Sequence, residues 1–279
     1  MHYCLLVSLV LIVSCTPSED IKVLRVGVLP DQSSEKIEKK YGPLFEYLAG
    51  SVNAKYEIVI PSSYDELLIE FHKGNIDIAY FGAVTFIMAN IKDQAVPLAM
   101  RDVDMRFTSI FIAPTKYSEN KIKEFKGKKL SFGSKLSTSG HLMPRYFLAN
   151  QNISPETYFS EVLYSGAHDK TALMVQDGVA DIGVANANVI RQMFADGDLD
   201  KSKVKEIWET PPYPDYVWAA SNKVPKHLLR KLIDAFTKLD VDNETHKHIL
   251  QSSGARNYYP ASMTDFKSLV GIMKSLGFI

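Results

Sequence analysis

Apolar and polar residues follow two different periods along the chain, and these periods predict strands that alternate with helices. Residues 23–30 alternate, are rich in β-branched side chains and end at a proline, which is typical of a strand. The next apolar residues recur at helical spacing: Tyr41, Leu44, Phe45 and Leu48. Residues 56–60 then predict a second strand. The chain therefore opens as a β-α-β unit.

Part of this pattern repeats at an offset of 104 residues. In each copy a strand leads to a polar loop, a helix, a glycine and a second strand. The matched identities are Asp65 with Asp169, Gly74 with Gly178, Asp77 with Asp181, and Ile78 with Ile182. Repeated α/β units predict two similar open sheets, with a ligand site beyond the strand ends where helices begin. Chance similarity around a common Gly-x-x-Asp turn is the alternative explanation.

The order of the elements predicts an α/β protein with two lobes. We expect lobe 1 to comprise residues 23–112 and 220–279, and lobe 2 to comprise residues 113–219. A strand at residues 109–113 is expected to cross into the second lobe, and a return crossing is expected near residues 216–220. The C-terminal helices then pack on lobe 1.

Composition narrows the class of ligand. The 279 residues include 46% hydrophobic residues, which is enough for two lobes with separate cores. Lys plus Arg and Asp plus Glu both number 32, so the chain has no basic field for nucleic acid and we expect no nucleic-acid partner. Any charged ligand must therefore be bound by local groups.

The N-terminus has the features of an export signal. Residues 5–13 are apolar but far too few to span a bilayer, which indicates a signal peptide within residues 1–15. A polar linker, residues 16–22, follows Cys15, and the junction resembles a bacterial lipobox in which this cysteine is lipidated. Early Lys or Arg is lacking, so a non-lipidated secretory signal or an apolar anchor is an alternative. The only other cysteine is Cys4, which leaves the mature chain without a disulfide.

A run of hydroxyl residues marks one candidate binding loop. Ser137, Thr138 and Ser139, followed by Gly140, stand at the predicted start of a helix after a strand at residues 129–133. A helix start presents unpaired N–H groups and a partial positive charge, so hydroxyls there can surround an oxyanion with donors. The alternative is that one hydroxyl merely caps the helix.

Other polar residues occupy comparable places. His168 and Asp169 stand at a second helix start, where the imidazole can donate to an anion and the carboxylate can cap the helix or orient the ring. Tyr64 holds the equivalent place in the first copy and offers a phenol donor. Asp215 ends a proline-rich loop, and its carboxylate would select oxyanions that still carry a proton. A surface histidine, a packing tyrosine and a solvated acid are the respective alternatives.

Four motifs in order resemble the phosphonate/phosphite/phosphate binding proteins of ABC importers. They are Tyr64-Asp65, residues 74–82, residues 137–140 and residues 164–169. The resemblance runs from about Leu24 to about Gly254 and implies a type II periplasmic-binding fold, in which two α/β lobes are joined by two crossover strands. It also implies an ABC permease and its ATPase as partners, a phosphorus oxyanion as ligand, a monomer, and no cofactor or metal.

The resemblance also implies which residues contact the ligand. These are Tyr64, Ser137, Thr138, Ser139 and His168. Asp215 matches an acidic ligand residue by spacing, and Asp169, Tyr80 and Phe107 are further candidates. Two departures stand out: Ala83 replaces a frequent proline, and Phe107 stands where the family has a tyrosine near the crossover, which removes a hydroxyl donor. The identity of the ligand therefore cannot be copied from a relative.

Other functions are consistent with the same fold. A sensory protein that docks on a receptor differs only in its partner. A hydrolase with Ser139 as nucleophile and His168 as base would belong to another class. Against it, the chain has no Gly-x-Ser-x-Gly elbow, His-Glu-x-x-His motif or phosphate loop. A carboxylate ligand usually requires an Arg clamp, and no Arg lies in the motif loops. We therefore expect a binding protein rather than an enzyme.

Overall fold

The computed structural model describes residues 21–279 and contains two sheets. The predicted signal peptide and Cys15 lie outside the described residues. The first sheet has the order β11-β4-β10-β3-β1-β2 and comprises β1 (Val23–Val28), β2 (Lys55–Val59), β3 (Ile78–Phe81), β4 (Val96–Arg101), β10 (Val217–Ala220) and β11 (Tyr258–Pro260). The second has the order β7-β6-β8-β5-β9 and comprises β5 (Ser109–Pro114), β6 (Lys129–Phe132), β7 (Glu161–Tyr164), β8 (Ile182–Asn186) and β9 (Val204–Glu209).

Helices cover the faces of both sheets. Those of the first lobe are α1 (Ser34–Ser51), α2 (Tyr64–Lys73), α3 (Ala83–Asp93), α8 (Lys226–Thr237), α9 (Glu244–Ser253) and α10 (Lys267–Ser275). Those of the second lobe are α4 (Met143–Ala149), α5 (Pro155–Tyr158), α6 (His168–Gln176) and α7 (Ala187–Asp196). Among residues 21–279, no helix is long and apolar enough to cross a membrane.

The repeat found in the sequence corresponds to equivalent structure in the two lobes. The carboxylate of Asp77 accepts the N–H of Arg25 at 2.8 Å, and that of Asp181 accepts the N–H of Lys129 at 2.9 Å. Arg25 and Lys129 are themselves 104 residues apart, so each aspartate ties the start of its strand to a neighbouring strand in the same way. Chance similarity therefore does not explain the repeat.

Two crossover segments join the lobes and pair with each other. Phe107 and Tyr213 exchange two backbone hydrogen bonds, with N···O distances of 2.8 and 2.9 Å, in an antiparallel bridge. The boundaries between the lobes differ from those predicted, because β5 and β10 pair in other sheets than expected. The strand β5 pairs with β8 and β9 in the second sheet, so the first crossover precedes residue 109 rather than following residue 112. The strand β10 pairs with β3 and β4, so the return is complete before residue 217.

The lobes are in contact in this structure. Leu142 and Met143, which follow the hydroxyl-rich loop of the second lobe, are buried in the apolar cluster of the first lobe. The second lobe has its own apolar clusters, one around Ile110 and Ile190 and one around Phe111 and Phe132. The chain is therefore in a closed conformation, with the candidate loops between the lobes.

Candidate functional site

The site lies where helix starts of the two lobes face each other. The side chain of Ser63 caps α2 within the first lobe by accepting the N–H of Glu66 at 3.1 Å. The starts of α3 and α6 follow Gly82 and Ala167, which provide no side-chain cap. Helix starts of this kind need hydrogen-bond acceptors from elsewhere.

The acceptors for these two helix starts come mostly from the opposite lobe. The N–H of Val84 in α3 donates to Thr138 Oγ1 of lobe 2 at 3.0 Å. The N–H of His168 in α6 donates to the carbonyl oxygen of Asp31 in lobe 1 at 3.1 Å. The N–H of Ala83 donates to Asp215 Oδ1 on the return crossover, also at 3.0 Å. Closure therefore satisfies N–H groups that each lobe leaves free.

The three hydroxyl residues of the loop, Ser137, Thr138 and Ser139, make different contacts. It forms a π-helical turn at Thr138–Leu142 that leads into α4. Ser137 Oγ accepts the N–H of Gly140 at 2.9 Å, which is the capping role given above as the alternative. Thr138 bonds across the cleft to α3. Ser139 Oγ is buried and has no hydrogen-bond partner among residues 21–279. A Cβ added to Gly140 would lie 2.9 Å from Ser137 Oγ and 3.1 Å from His168 Cε1, so a larger residue here would have to displace one of these side chains.

Three buried polar atoms of candidate residues lack a partner within the described part of the chain: Tyr64 Oη, Ser139 Oγ and Asp215 Oδ2. A buried polar atom without a partner costs about 1–3 kcal/mol, so native proteins rarely keep several together. All three residues are among the ligand contacts predicted from the sequence. Together they offer two hydroxyl groups and one carboxyl oxygen to a small polar ligand.

Burial strongly alters the chemistry of Asp215. The side chain is 1% exposed, and desolvation raises the pKa of its carboxyl from 3.8 to about 7, while the N–H of Ala83 and nearby hydroxyls act in the opposite direction. Near neutral pH this group therefore exchanges readily between donor and acceptor. Burial also raises the pKa of Tyr64 well above its ordinary value, so its phenol stays a hydrogen-bond donor.

The imidazole of His168 is buried and neutral. Desolvation lowers its pKa to about 4. The N–H of Asn186 donates to Nδ1 at 3.3 Å, so the ring proton is on Nε2, which lies 3.2 Å from Tyr216 Oη. Tyr216 in turn donates to Asp31 Oδ2 at 2.9 Å. Neither Asp31 nor Tyr216 is predicted from the sequence, although Asp31 directly follows the first predicted strand and Tyr216 directly follows Asp215.

The three remaining candidates, Asp169, Tyr80 and Phe107, have no unpaired polar atom among those described above. The carboxylate of Asp169 accepts the N–H of its neighbour Lys170 at 2.8 Å, whereas the ring of His168 is oriented by Asn186 and Tyr216. The predicted orienting role of Asp169 is therefore wrong. Tyr80 donates its hydroxyl to Asp104 at 3.2 Å and stacks on Tyr216 at 5.1 Å.

Phe107 occupies the hinge and supports the site from behind. Its ring lies 5.3 Å from that of Tyr216 and 6.3 Å from that of Tyr213. The hydroxyl of Tyr213 is hydrogen-bonded to Ser109 Oγ, and Ser109 Oγ donates to the carbonyl oxygen of Ser139 at 2.6 Å. The hinge thus connects directly to the hydroxyl-rich loop.

Two facing α/β lobes, two paired crossovers and a cleft lined by helix starts define a two-lobed solute-binding protein of type II fold. The family model described as "ABC transporter, phosphonate, periplasmic substrate-binding protein" matches residues 26–266. The chain therefore belongs to this family of ABC-transporter substrate-binding proteins, and the fold and family predicted from its four motifs are confirmed. Such a component acts outside the cytoplasm together with a permease and an ATPase.

Relatives support the same assignment. A protein of Prochlorococcus marinus (strain MIT 9301), described as a probable ABC transporter phosphite binding protein PhnD1, is 28% identical over 267 residues, or 91% of this chain and 90% of that protein. The solved structure of PhnD1 from that organism, in complex with methylphosphonate, has a TM-score of 0.87 at 27% identity and covers 92% of this chain and 99% of its own. The phosphate-import protein PhnD of Mycolicibacterium smegmatis is 26% identical over 78% of this chain and 72% of its own length.

Proposed function

We propose that this protein captures a small phosphorus oxyanion, such as a phosphonate or phosphite, between its lobes and presents it to its permease. The observation that carries the proposal is the set of three buried, unpaired polar atoms: Tyr64 Oη, Ser139 Oγ and Asp215 Oδ2. A tetrahedral oxyanion with at least one proton satisfies all three, because it accepts from two hydroxyls and donates to the carboxyl oxygen.

The charge balance of the site favours a protonated oxyanion over a fully ionised one. Burial raises the pKa of Asp215 to about 7, so this site disfavours a negative charge. A fully ionised oxyanion beside the ionised carboxylate would place two like charges together, whereas an oxyanion with a proton can donate a hydrogen bond to it. Neutral donors and helix starts supply the stabilisation of the anion. The relatives point the same way, since one is described as a phosphite binder and its structure contains methylphosphonate, while another is described as a phosphate importer.

The mechanism is closure about the paired crossovers. The ligand first meets one lobe, and closure then adds the donors of the other lobe together with the bond from Val84 to Thr138. Ser137 shapes the loop by capping it, and His168 supports the site through its hydrogen bonds with Asn186 and Tyr216. The proposed site residues are those that the resemblance implies, with Ser137 and His168 positioning the loops rather than contacting the ligand.

Binding without turnover is the activity we assign. A hydrolase would need His168 to accept the proton of Ser139, but both ring nitrogens are already engaged, by Asn186 and by Tyr216. We further propose that Cys15 carries the lipid that attaches a monomer to the cell envelope. These assignments of anchor and oligomeric state rest on the sequence.

The test is a calorimetric titration of the chain from residue 16 onward, which contains every described element. The panel comprises phosphite, methylphosphonate, 2-aminoethylphosphonate, phosphate, sulfate and glutamate. We expect at least one phosphorus oxyanion to bind and sulfate, which brings no proton for Asp215, to bind much more weakly. Ligand at a hundredfold excess over Kd should also stabilise the fold by about 2.7 kcal/mol. Binding of sulfate or glutamate in preference to every phosphorus compound would contradict the proposal.

A further inference from the structure

The first lobe holds His168 of the second lobe at two separate points. The carbonyl oxygen of Asp31 accepts the backbone N–H of His168 at 3.1 Å, and the hydroxyl of Tyr216 lies 3.2 Å from its Nε2. The carboxylate of Asp31 then accepts the hydroxyl proton of Tyr216 at 2.9 Å. Asp31 therefore contacts His168 directly through its backbone and indirectly through Tyr216.

The direction of each hydrogen bond in the series that runs from Asn186 through His168 and Tyr216 to Asp31 is determined. Because the N–H of Asn186 donates to Nδ1, the neutral ring must carry its proton on Nε2. Tyr216 Oη accepts the hydrogen bond from Nε2–H and donates its own O–H to Asp31 Oδ2. The hydroxyl of Tyr216 thus both accepts and donates, in contrast to the unpaired hydroxyls of Tyr64 and Ser139.

Aromatic packing holds the ring of Tyr216 where its hydroxyl can bond to both His168 and Asp31. It stacks on Tyr80 with 21° between the planes and a centroid distance of 5.1 Å, and Phe107 lies against it at 5.3 Å. Tyr216 is 2% exposed, Asp31 is 8% exposed and His168 is fully buried. A hydrogen-bonded chain buried this deeply forms only when the lobes are closed, since His168 belongs to the opposite lobe.

We propose that Asp31 and Tyr216 are positioning residues that form an interlobe latch on His168, stabilising closure itself rather than contacting the ligand. The latch needs no ligand to complete its hydrogen bonds, so it lets the ligand-free protein populate the closed form. It also holds the imidazole in a single tautomer. The inference rests on the proposed function for its effect on ligand affinity, but its effect on the ligand-free protein is independent of that function.

The test compares Tyr216→Phe with a matched control, Tyr117→Phe. Tyr117 also donates its phenol proton to a carboxylate, that of Asp181, but both residues lie in the second lobe. Loss of the latch should raise Kd about three- to tenfold, as expected for one net hydrogen bond, and by the same factor for every ligand that binds. Tyr117→Phe should leave Kd unchanged. If Tyr216→Phe folds poorly, Asp31→Ala, which removes the acceptor of the Tyr216 hydroxyl, takes its place. It should raise Kd by the same factor of about three to ten.

Two readouts separate a latch from a general structural role. Small-angle X-ray scattering of the ligand-free protein should show a larger radius of gyration for Tyr216→Phe than for the wild type or Tyr117→Phe. In ¹⁵N NMR spectra, the Nε2–H signal of His168 should shift and exchange faster with water in Tyr216→Phe. If no ligand binds the wild type, the proposed function fails while the scattering still decides the latch. Affinity changes that differ between ligands, or an unchanged radius of gyration, would overturn the proposal.

Discussion

Replacement of Asp215 by Asn should change the pH dependence of stability in a defined direction. Asparagine retains an oxygen that can accept the N–H of Ala83, so the bond seen at 3.0 Å can survive while the titratable group is lost. In the wild type, burial holds the carboxyl pKa at about 7 against its usual 3.8. A group whose pKa is raised on folding stabilises the fold fully below its unfolded value and loses that contribution as pH rises through its folded value.

The magnitude follows from the two pKa values. At about 1.36 kcal/mol per pKa unit, the shift corresponds to about 4 kcal/mol of stability lost between low pH and pH above 7. Roughly 2–3 kcal/mol of this loss falls between pH 5 and pH 8. His168 has the opposite slope, because its pKa falls from 6.5 to about 4 and its contribution is lost as pH decreases through this window. The two contributions oppose each other in the wild type, so only the comparison with the variant isolates Asp215.

The assay is urea denaturation of wild type and Asp215→Asn at pH 5 and pH 8 without ligand. The stability of the variant relative to the wild type should increase by roughly 2–3 kcal/mol from pH 5 to pH 8, because only the wild type then buries a charged carboxylate. His168 is present in both proteins, so its contribution cancels. An equal stability difference at the two pH values would refute the assignment of a raised pKa to Asp215.

Two further substitutions and one NMR titration test the remaining parts of the site. Ser139→Ala should weaken oxyanion binding by roughly 10- to 100-fold in calorimetry and raise the thermal stability of the ligand-free protein, because it removes a buried hydroxyl that has no partner. Gly82→Ala should weaken all ligands alike, since the new Cβ would lie 3.3 Å from Thr138 Oγ1 across the cleft. Gly271→Ala, where a Cβ meets nothing within 4 Å, is its control and should bind as the wild type does. The ¹⁵N NMR signals of His168 should show no titration between pH 8 and pH 5, and a midpoint near 6.5 would contradict its burial.

The parts of the fold that could be predicted are those encoded by local periodicity and by the repeat. Gly74 and Gly178 have φ angles of +81° and +75° at equivalent turns, so the requirement for glycine is visible in both copies. Helix starts also have local signals, which is why the loops with Ser139 and His168 could be found. The sequence predicts a strand at residues 109–113, close to the observed Ser109–Pro114, but not the lobe to which it belongs, because pairing with β8 and β9 involves residues far away in the chain.

The interlobe contacts could not be predicted for the same reason. Tyr216 and Asp31 are 185 residues apart, and neither belongs to a motif with a characteristic spacing. Asp169 shows the converse error: its position beside His168 suggested a partnership, but a helix points adjacent side chains in different directions. Phe107 is expected near the crossover, but its antiparallel bridge to Tyr213 could not be predicted from the sequence.

A crystal structure of the protein with methylphosphonate would test the central claim most directly. We predict the phosphonate group between the lobes, with its oxygens within hydrogen-bond distance of Tyr64 Oη, Ser139 Oγ and Asp215 Oδ2, the three buried atoms of candidate residues that lack partners within residues 21–279. A phosphonate bound elsewhere, or bound between the lobes while these three atoms stay unpaired, would contradict the account.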